Sequence, residues 1–371
     1  MCDTSKRRCD TCEMKGDIRI QGNSSTIYVF SSHIGHVLRT IKPYARKGDE
    51  NAMKKVTTFT IKSIPKEAKT MLKCTKTHNV PAIVFSLGGY AENNFHAFSD
   101  VVLPLYATSR EFNREVKFLV TDNRSWWISK FQELLHKLSR FEIIDIDRDN
   151  EVHCFSSVVV GLGKEDKKEL HIESVKGFTS FLRSSFSLDR FTAINLTNHQ
   201  TKKPRLLIVS RSKTRAFMNI NEMVHASQDL GFEVIVTEMN ENLTRVSRLV
   251  NSCDVMMGVH GAGLTNMVFL PENSILIQVV PLGEMGWIAN TYFGEPSKAM
   301  GLRYLEYKAS KGESSLVDQY PVNHQVLVDP FSIQRKGWDV YRSIYLDKQN
   351  VTLNITRLKE TLSTALQLLY S

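Results

Sequence analysis

The segment Val255-Met-Met-Gly-Val-His-Gly-Ala-Gly-Leu-Thr-Asn-Met-Val-Phe-Leu-Pro271 restricts this chain more than any other. Its first five residues read as a buried strand, and a helix is expected at once over 263–269. Between them stands His260-Gly261-Ala262-Gly263, followed by Leu264 and Asn266. A strand that stops at a glycine-rich turn before a helix gathers backbone N–H groups and a positive helix end at one point. That is an anion site, and nucleotide phosphates are its commonest occupants. Alone, a GxG fits a tight strand–helix turn equally well. A second strand end carries Ser210-Arg211-Ser212-Lys213-Thr214-Arg215, in which Arg211 and Arg215 suit a bidentate grip on a pyrophosphate. Two such ends in one half of the chain point to a nucleotide-diphosphate site.

Around this segment, strand-like runs alternate with helical periodicity, the mark of α/β architecture. In the first half strands are expected at 81–86, 116–121, 141–146 and 152–161, with helices at 93–108 and 124–138. A polar, sequon-bearing stretch over 188–204 interrupts the pattern. A second set follows, with strands at 205–210, 232–237, 254–259, 275–279 and 302–307. Helices at 219–230, 242–251, 263–269 and 287–299 separate them, and apolar Leu358, Leu362, Ala365, Leu366 and Leu369 give the tail one helical face. A chain of 371 residues suits two domains of roughly 150–200 residues each. The division is placed at 1–195 and 196–340, with 341–371 as a terminal helical segment. Open parallel sheets hold ligands beyond the carboxyl ends of their strands. Both anion-type loops lie in the second half, so the nucleotide belongs there and the first half holds what reacts with it.

The first half has one dense polar cluster, Gly88-Gly-Tyr-Ala-Glu-Asn-Asn-Phe-His-Ala-Phe-Ser-Asp100. Asn93 suits a helix N-cap, and Phe95, Phe98, Val102 and Leu105 follow at helical spacing as a buried face. His96 and Asp100 are four apart and share a different face, with Glu92 at the helix entrance. A histidine oriented by a carboxylate is a standard general base, because the carboxylate fixes the tautomer and stabilises the imidazolium. The same pattern also describes a capped helix with a surface pair.

Net charge is +9, and the first 76 residues carry all of it, with sixteen Lys and Arg against seven Asp and Glu. Such a region suits an acidic polymer or an anionic surface, but it lacks the interleaved aromatics of a nucleic-acid platform. No apolar run reaches the ~20 residues needed to span a bilayer. Six cysteines without a paired CxxC cluster argue against zinc and leave 15 disulfide pairings open. Together with six Asn-x-Ser/Thr sequons, they tilt the compartment toward the secretory pathway. Asp145-Ile-Asp147 and Asp147-Arg-Asp149 spell DxD, but alternation sets these residues at a strand end as solvated acids, and no metal site is expected. Trp126, Trp127, Trp287 and Tyr292 suit sugar stacking or core packing equally.

With those residues in view, the chain resembles plant members of glycosyltransferase family 61. The resemblance runs through Cys12-Glu-Met-Lys-Gly-Asp-Ile-Arg19, Lys42-Pro-Tyr-Ala-Arg46, the Gly88–Asp100 segment, Ser210-Arg211, His260–Asn266, Gly337-Trp338 and Gln349-Asn350-Val351, and is strongest to the clade that decorates xylan. It implies a GT-B fold of two facing Rossmann-like lobes, with the C-terminal helix crossing back to the first. It also implies an inverting transferase of the Golgi lumen, whose type II membrane anchor would precede Met1. A UDP-sugar donor, a xylan or xylo-oligosaccharide acceptor and no required cofactor follow, although manganese helps some members. Catalysis is carried onto His96 and Asp100, with Glu92 shared by the plant clade. Ser210, Arg211, Arg215 and His260 to Asn266 are carried to the nucleotide sugar. The expected activity is xylan β-1,2-xylosyl transfer. The alternatives are α-1,3-arabinofuranosyl transfer and a non-catalytic glycan-binding member.

Overall fold

The computed structural model describes residues 2–31, 38–65, 67, 72–163, 172–198, 202–239 and 242–370. Residues 199–201 of the expected polar stretch lie outside them. The chain divides into two compact units, Met1–Ser174 and Val175–Ser371.

The first unit is built on a ten-stranded mixed sheet. Its strands are β1 (Cys2–Asp3), β2 (Thr11–Gln21), β3 (Thr26–Ser31), β4 (Leu38–Ile41), β5 (Phe59–Pro65), β6 (Lys76–Thr77), β7 (Ala82–Ser86), β8 (Lys117–Thr121), β9 (Ile144–Asp145) and β10 (Val152–Val160). The order is β4-β5-β3-β2-β10-β7-β8-β9, with β1 on β2 and β6 on β10. The strands β7 to β10 are the parallel portion foreseen in the sequence, and β7 and β8 are apolar runs buried on both faces. The expectation of a parallel half ends there. β2 runs antiparallel to β10 and β3, so the basic amino-terminal region is woven into the sheet. Disulfides Cys2–Cys12 and Cys74–Cys154 fasten this region to itself and to β10.

The second unit holds a five-stranded, all-parallel sheet. Its strands are β11 (Arg205–Val209), β12 (Glu233–Thr237), β13 (Val255–Val259), β14 (Ile275–Val280) and β15 (Arg303–Lys308), in the order β12-β11-β13-β14-β15. From β11 the chain moves one way to β12, then returns to place β13 on the other side. That reversal makes the carboxyl ends of β11 and β13 a topological switch point, the usual ligand position in such sheets.

Two expectations are corrected. A helix at Ile172–Phe186, unforeseen, belongs mostly to the second unit, where Phe186 meets Phe269 edge-on at 5.5 Å. The division therefore falls some twenty residues before 195. The C-terminal helix Ile355–Leu369 buries its apolar face of Leu358, Leu362, Ala365 and Leu369 in the core formed by β11, β13 and β14, beside Met223 of the helix Ile220–Asp229. The expected helix after the glycine turn is a 3-10 helix, Ala262–Phe269. Asn266 Nδ2 donates to the Gly263 carbonyl at 2.9 Å, occupying an acceptor that an α-helix needs. Among the described residues, no helix is long and apolar enough to cross a membrane.

Candidate functional site

Two clusters carry chemistry, one in each unit. The first follows β7. Asn93 caps a helix by accepting from Phe95 N–H at 2.9 Å, as expected. The helix begins as α over Asn94–His96, widens to a π-helix over Ala97–Val102 and returns to α over Leu103–Ser109. Pro104 supplies the reason. It has no N–H to give the Asp100 carbonyl and its ring would collide there; the Leu103 N–H bonds Phe98 O instead, closing the wider turn.

The π turn carries Asp100 into the interior, where its side chain is fully buried. Its Oδ2 lies 2.9 Å from His96 Nδ1, 3.6 Å from an Arg46 nitrogen and accepts from the Tyr44 hydroxyl at 3.2 Å. Its Oδ1 accepts from Arg8 at 2.8 Å and from the Ser99 hydroxyl at 2.7 Å. Burial alone would raise this carboxyl. The hydrogen bond from His96 and the charges of His96, Arg8 and Arg46 outweigh burial and hold it below the ordinary carboxylate range. His96 stays partly open, with its ring 5.0 Å from that of Tyr90. The arrangement anchors Nδ1 to a carboxylate and leaves Nε2 without a described partner, the geometry of a general base. Glu92 does not join it. It is exposed and pairs with exposed Arg124 at 3.4 Å.

Asp145 and Asp147 bond the turn that follows β8, although Asp145 Oδ1 is buried without a partner. Asp147 accepts from Thr121 Oγ1 at 2.7 Å and Asp122 N–H at 2.6 Å, and Asp145 accepts from Asn123 Nδ2 at 2.8 Å. They line a polar cavity of about 250 Å³ with Lys55, Asp122, Arg124 and Arg148. Among the described residues no three His, Cys, Asp or Glu side chains converge as metal ligands. Of the aromatics, Trp127 is core, with its ring tilted against that of Phe131 at 4.4 Å. Trp126 and Trp287 are half exposed, and Tyr292 packs against an interior cluster.

The second cluster sits at the switch point. β11 delivers Ser210, Arg211 and Arg215, and β13 delivers His260 and Gly261. Gly261 has φ +150°, and a Cβ there would lie 2.8 Å from an Arg211 nitrogen and 2.9 Å from an Arg215 nitrogen. Only glycine lets both guanidinium groups come so close to the backbone. Arg215 donates to the His260 carbonyl at 2.8 Å, and Arg211 Nε donates to the Thr214 carbonyl at 2.7 Å. Neither forms a salt bridge with a described residue, and Arg215 Nε is buried without a partner. Burial, reinforced by Arg211's charge, pushes the Arg215 guanidinium down to about 9; burial lowers Arg211 too, against an opposing pull from Glu238. Two desolvated cations without a salt bridge to a described residue, opposed only by the charges of Glu238 on Arg211 and Asp347 on Arg215, are what a bound anion would relieve.

The rest of the motif supports this loop. Gly258 and Gly263 give room for close packing with Leu264 and Val209, and Leu264 and Asn266 turn inward, both buried. Ala262 opens the 3-10 helix. The arginine loop is also stitched to the Gln349-Asn350-Val351 segment. Arg215 N–H donates to Gln349 O at 2.7 Å, Ala216 N–H to Asn350 Oδ1 at 2.9 Å and Met218 N–H to Val351 O at 2.8 Å. Local spacing in the sequence points to His96, Asp100, Arg211, Arg215 and the glycine turn, but not to Arg8, Tyr44 or Arg46 as partners of Asp100. Asp100's partners lie up to 92 residues away, and no local periodicity encodes such a contact.

Comparison with known proteins places the chain in a family. The glycosyltransferase 61 family model matches residues 94–277. The chain is 45% identical over 377 residues to alpha-1,3-arabinosyltransferase XAT3 of Oryza sativa subsp. japonica, covering 99% of this chain and 65% of that protein. It is 38% identical to beta-1,2-xylosyltransferase XYXT1 of the same species, covering 99% and 84%. To xylan glycosyltransferase MUCI21 of Arabidopsis thaliana it is 37% identical, covering 98% and 78%.

Proposed function

We propose that this chain, which belongs to glycosyltransferase family 61, moves a pentose from a UDP-sugar to xylan with inversion at the anomeric carbon. It spans less than two thirds of the length of two arabinosyltransferases to which it is similar, so the activity of the whole protein is itself part of the proposal. The observation that carries the reading is the pair of desolvated arginines, without salt bridges to any described residue, at the switch point of a parallel sheet.

In this reading His96, held by Asp100, takes the proton of the acceptor hydroxyl as its oxygen bonds to the anomeric carbon. The bond from that carbon to the diphosphate breaks, and Arg211, Arg215 and the N–H groups after His260 take up the charge on the leaving UDP. No cation is needed for that step, and the chemistry is proposed to be metal-independent. Each unit supplies one Rossmann-like domain of a GT-B transferase, and the two disulfides accord with an oxidising secretory compartment such as the Golgi lumen. Higher identity to the arabinosyltransferases, 45% against 38%, favours α-1,3-arabinosyl transfer over the xylosyl reading of the sequence.

The test is a donor screen with xylo-oligosaccharides, comparing UDP-arabinofuranose with UDP-xylose and fixing the product linkage. Product from one UDP-pentose decides the donor. No product from either, with UDP still bound, would leave a glycan-binding protein instead.

A further inference from the structure

Gln278 lies in β14 directly between Gly258 of β13 and Glu306 of β15, and it is fully buried. Its amide has two neighbours. Nε2 is 2.7 Å from His260 Nδ1, and the Tyr304 hydroxyl is 2.8 Å from Oε1. That hydroxyl also lies 3.2 Å from Glu306 Oε2. A phenol has one proton to give. The shorter distance is ordinary for O–H···O, whereas a hydroxyl bound to a carboxylate sits at about 2.5–2.7 Å. The proton therefore goes to Gln278 Oε1. This fixes the amide with its oxygen toward Tyr304 and its nitrogen toward His260, so Gln278 Nε2–H donates to His260 Nδ1. A neutral imidazole that accepts at Nδ1 carries its own proton on Nε2.

We propose that Gln278 and Tyr304 are positioning residues that hold His260 as a neutral imidazole whose Nε2–H donates to a diphosphate oxygen of the bound nucleotide. The inference rests on the donor-site reading above and assigns the histidine's part in it. The backbone keeps the ring in place, since His260 N–H bonds Val279 O at 2.8 Å and its carbonyl takes Arg215. Phe293 stands perpendicular to it at 5.5 Å. The charged groups that face the imidazole are Arg215 and Arg211, with Glu306 beyond Tyr304. Burial, then those two arginines, pushes His260 down to about 3. Burial, then Glu306, raises the Tyr304 phenol, which stays protonated. Beside two cations, a neutral donor adds a directed bond without a third desolvated charge. An unprotonated Nε2 would instead turn a lone pair on the phosphate.

The experiment uses protein labelled with ¹⁵N-histidine, read by NMR, with UDP as the probe in calorimetry. The wild type should show His260 as the neutral Nε2–H tautomer from about pH 5 to about pH 8. Gln278→Glu sets a carboxylate at Nδ1 and should draw the proton there. UDP should then bind about tenfold more weakly near pH 8 and recover as the pH falls and the imidazolium forms, while the wild-type affinity tracks no titration of His260. Tyr304→Phe removes the group that orients the amide. It should leave the fold intact by circular dichroism, mix the tautomers and weaken UDP about threefold. An Nδ1–H tautomer or an imidazolium in the wild type would overturn the proposal. So would a wild-type tautomer in both variants. If UDP does not bind the wild type at all, the donor-site reading fails and donation to phosphate falls with it; the spectra still decide whether Gln278 sets the tautomer.

Discussion

Replacing Asp100 with asparagine keeps the outline of the side chain and removes its charge, which exposes what the carboxylate does in the first unit. The amide oxygen can still take the Tyr44 and Ser99 hydroxyls. Arg8 loses its counter-ion and Arg46 keeps Asp49, 2.9 Å away, and removing one partner of a buried pair costs about 3–5 kcal/mol. Both arginines keep some exposure, 22% and 27% of their side chains, so water offsets part of the loss and about 2–3 kcal/mol is expected. The pH dependence has a definite sign. A carboxyl whose folded pKa is depressed contributes its stability above the unfolded value near ~4, and that contribution is lost as pH falls through the lower folded value. The variant should therefore differ most from wild type at neutral pH and converge with it in acid. Because two units need not unfold together, the assay is hydrogen exchange of peptides spanning 94–109, alongside urea unfolding at pH 7. Turnover should fall as well, since an amide cannot stabilise the imidazolium of His96. Unchanged protection and an unchanged urea midpoint would refute the claim that Asp100 neutralises the two arginines.

His96→Ala should lower transfer by about 10²–10⁴ while UDP binding, measured by calorimetry, survives; transfer at the wild-type rate would remove His96 as the base. Arg215→Met should weaken UDP by about 1.5–3 kcal/mol, the worth of a charged hydrogen bond, without lowering the melting temperature, because it also removes a desolvated cation. Gly261→Ala forces a Cβ onto both guanidinium groups at φ +150° and should cost about 1–3 kcal/mol of stability, with UDP affinity reduced in the same titration. Treatment with EDTA should leave most transfer intact, and a complete loss restored by manganese would return Asp145 and Asp147 to consideration as ligands.

The parts of this architecture that showed in the sequence are those in which one local pattern suffices. β7, β8, β11, β13 and β14 are short, largely apolar runs ended by turn residues, and the tail helix has a single apolar face. β2 illustrates the opposite case. Its run Thr-Cys-Glu-Met-Lys-Gly-Asp-Ile-Arg-Ile-Gln mixes charge with apolar residues, and a register shift opposite Phe155–Ser157 breaks its alternation. Its strand character comes from β10 and β3, which no window on β2 contains. The candidate sites divide in the same way. His96 with Asp100 and Gly261 with Gly263 are readable because spacings of four and two residues are local. Arg8, Tyr44 and Gln278 act across strands and loops, and only the folded chain brings them to their partners. Glu92 was drawn into the cluster by proximity in sequence, yet the helix cap turns it toward Arg124 and water.

The stitching of the arginine loop to residues 349–351 bears on the order in which the protein is made. A nascent chain has synthesised Arg211, Arg215 and every strand of the second sheet well before Gln349 emerges. Until it does, the backbone N–H groups of Arg215, Ala216 and Met218 have no native acceptors. Such contacts between distant stretches of chain form late and slowly. The arginine loop is thus completed only after the sheet beneath it can already fold. A chain cut short just before residue 349 would retain both the arginine and the glycine motif and lack the brace that holds the arginine loop.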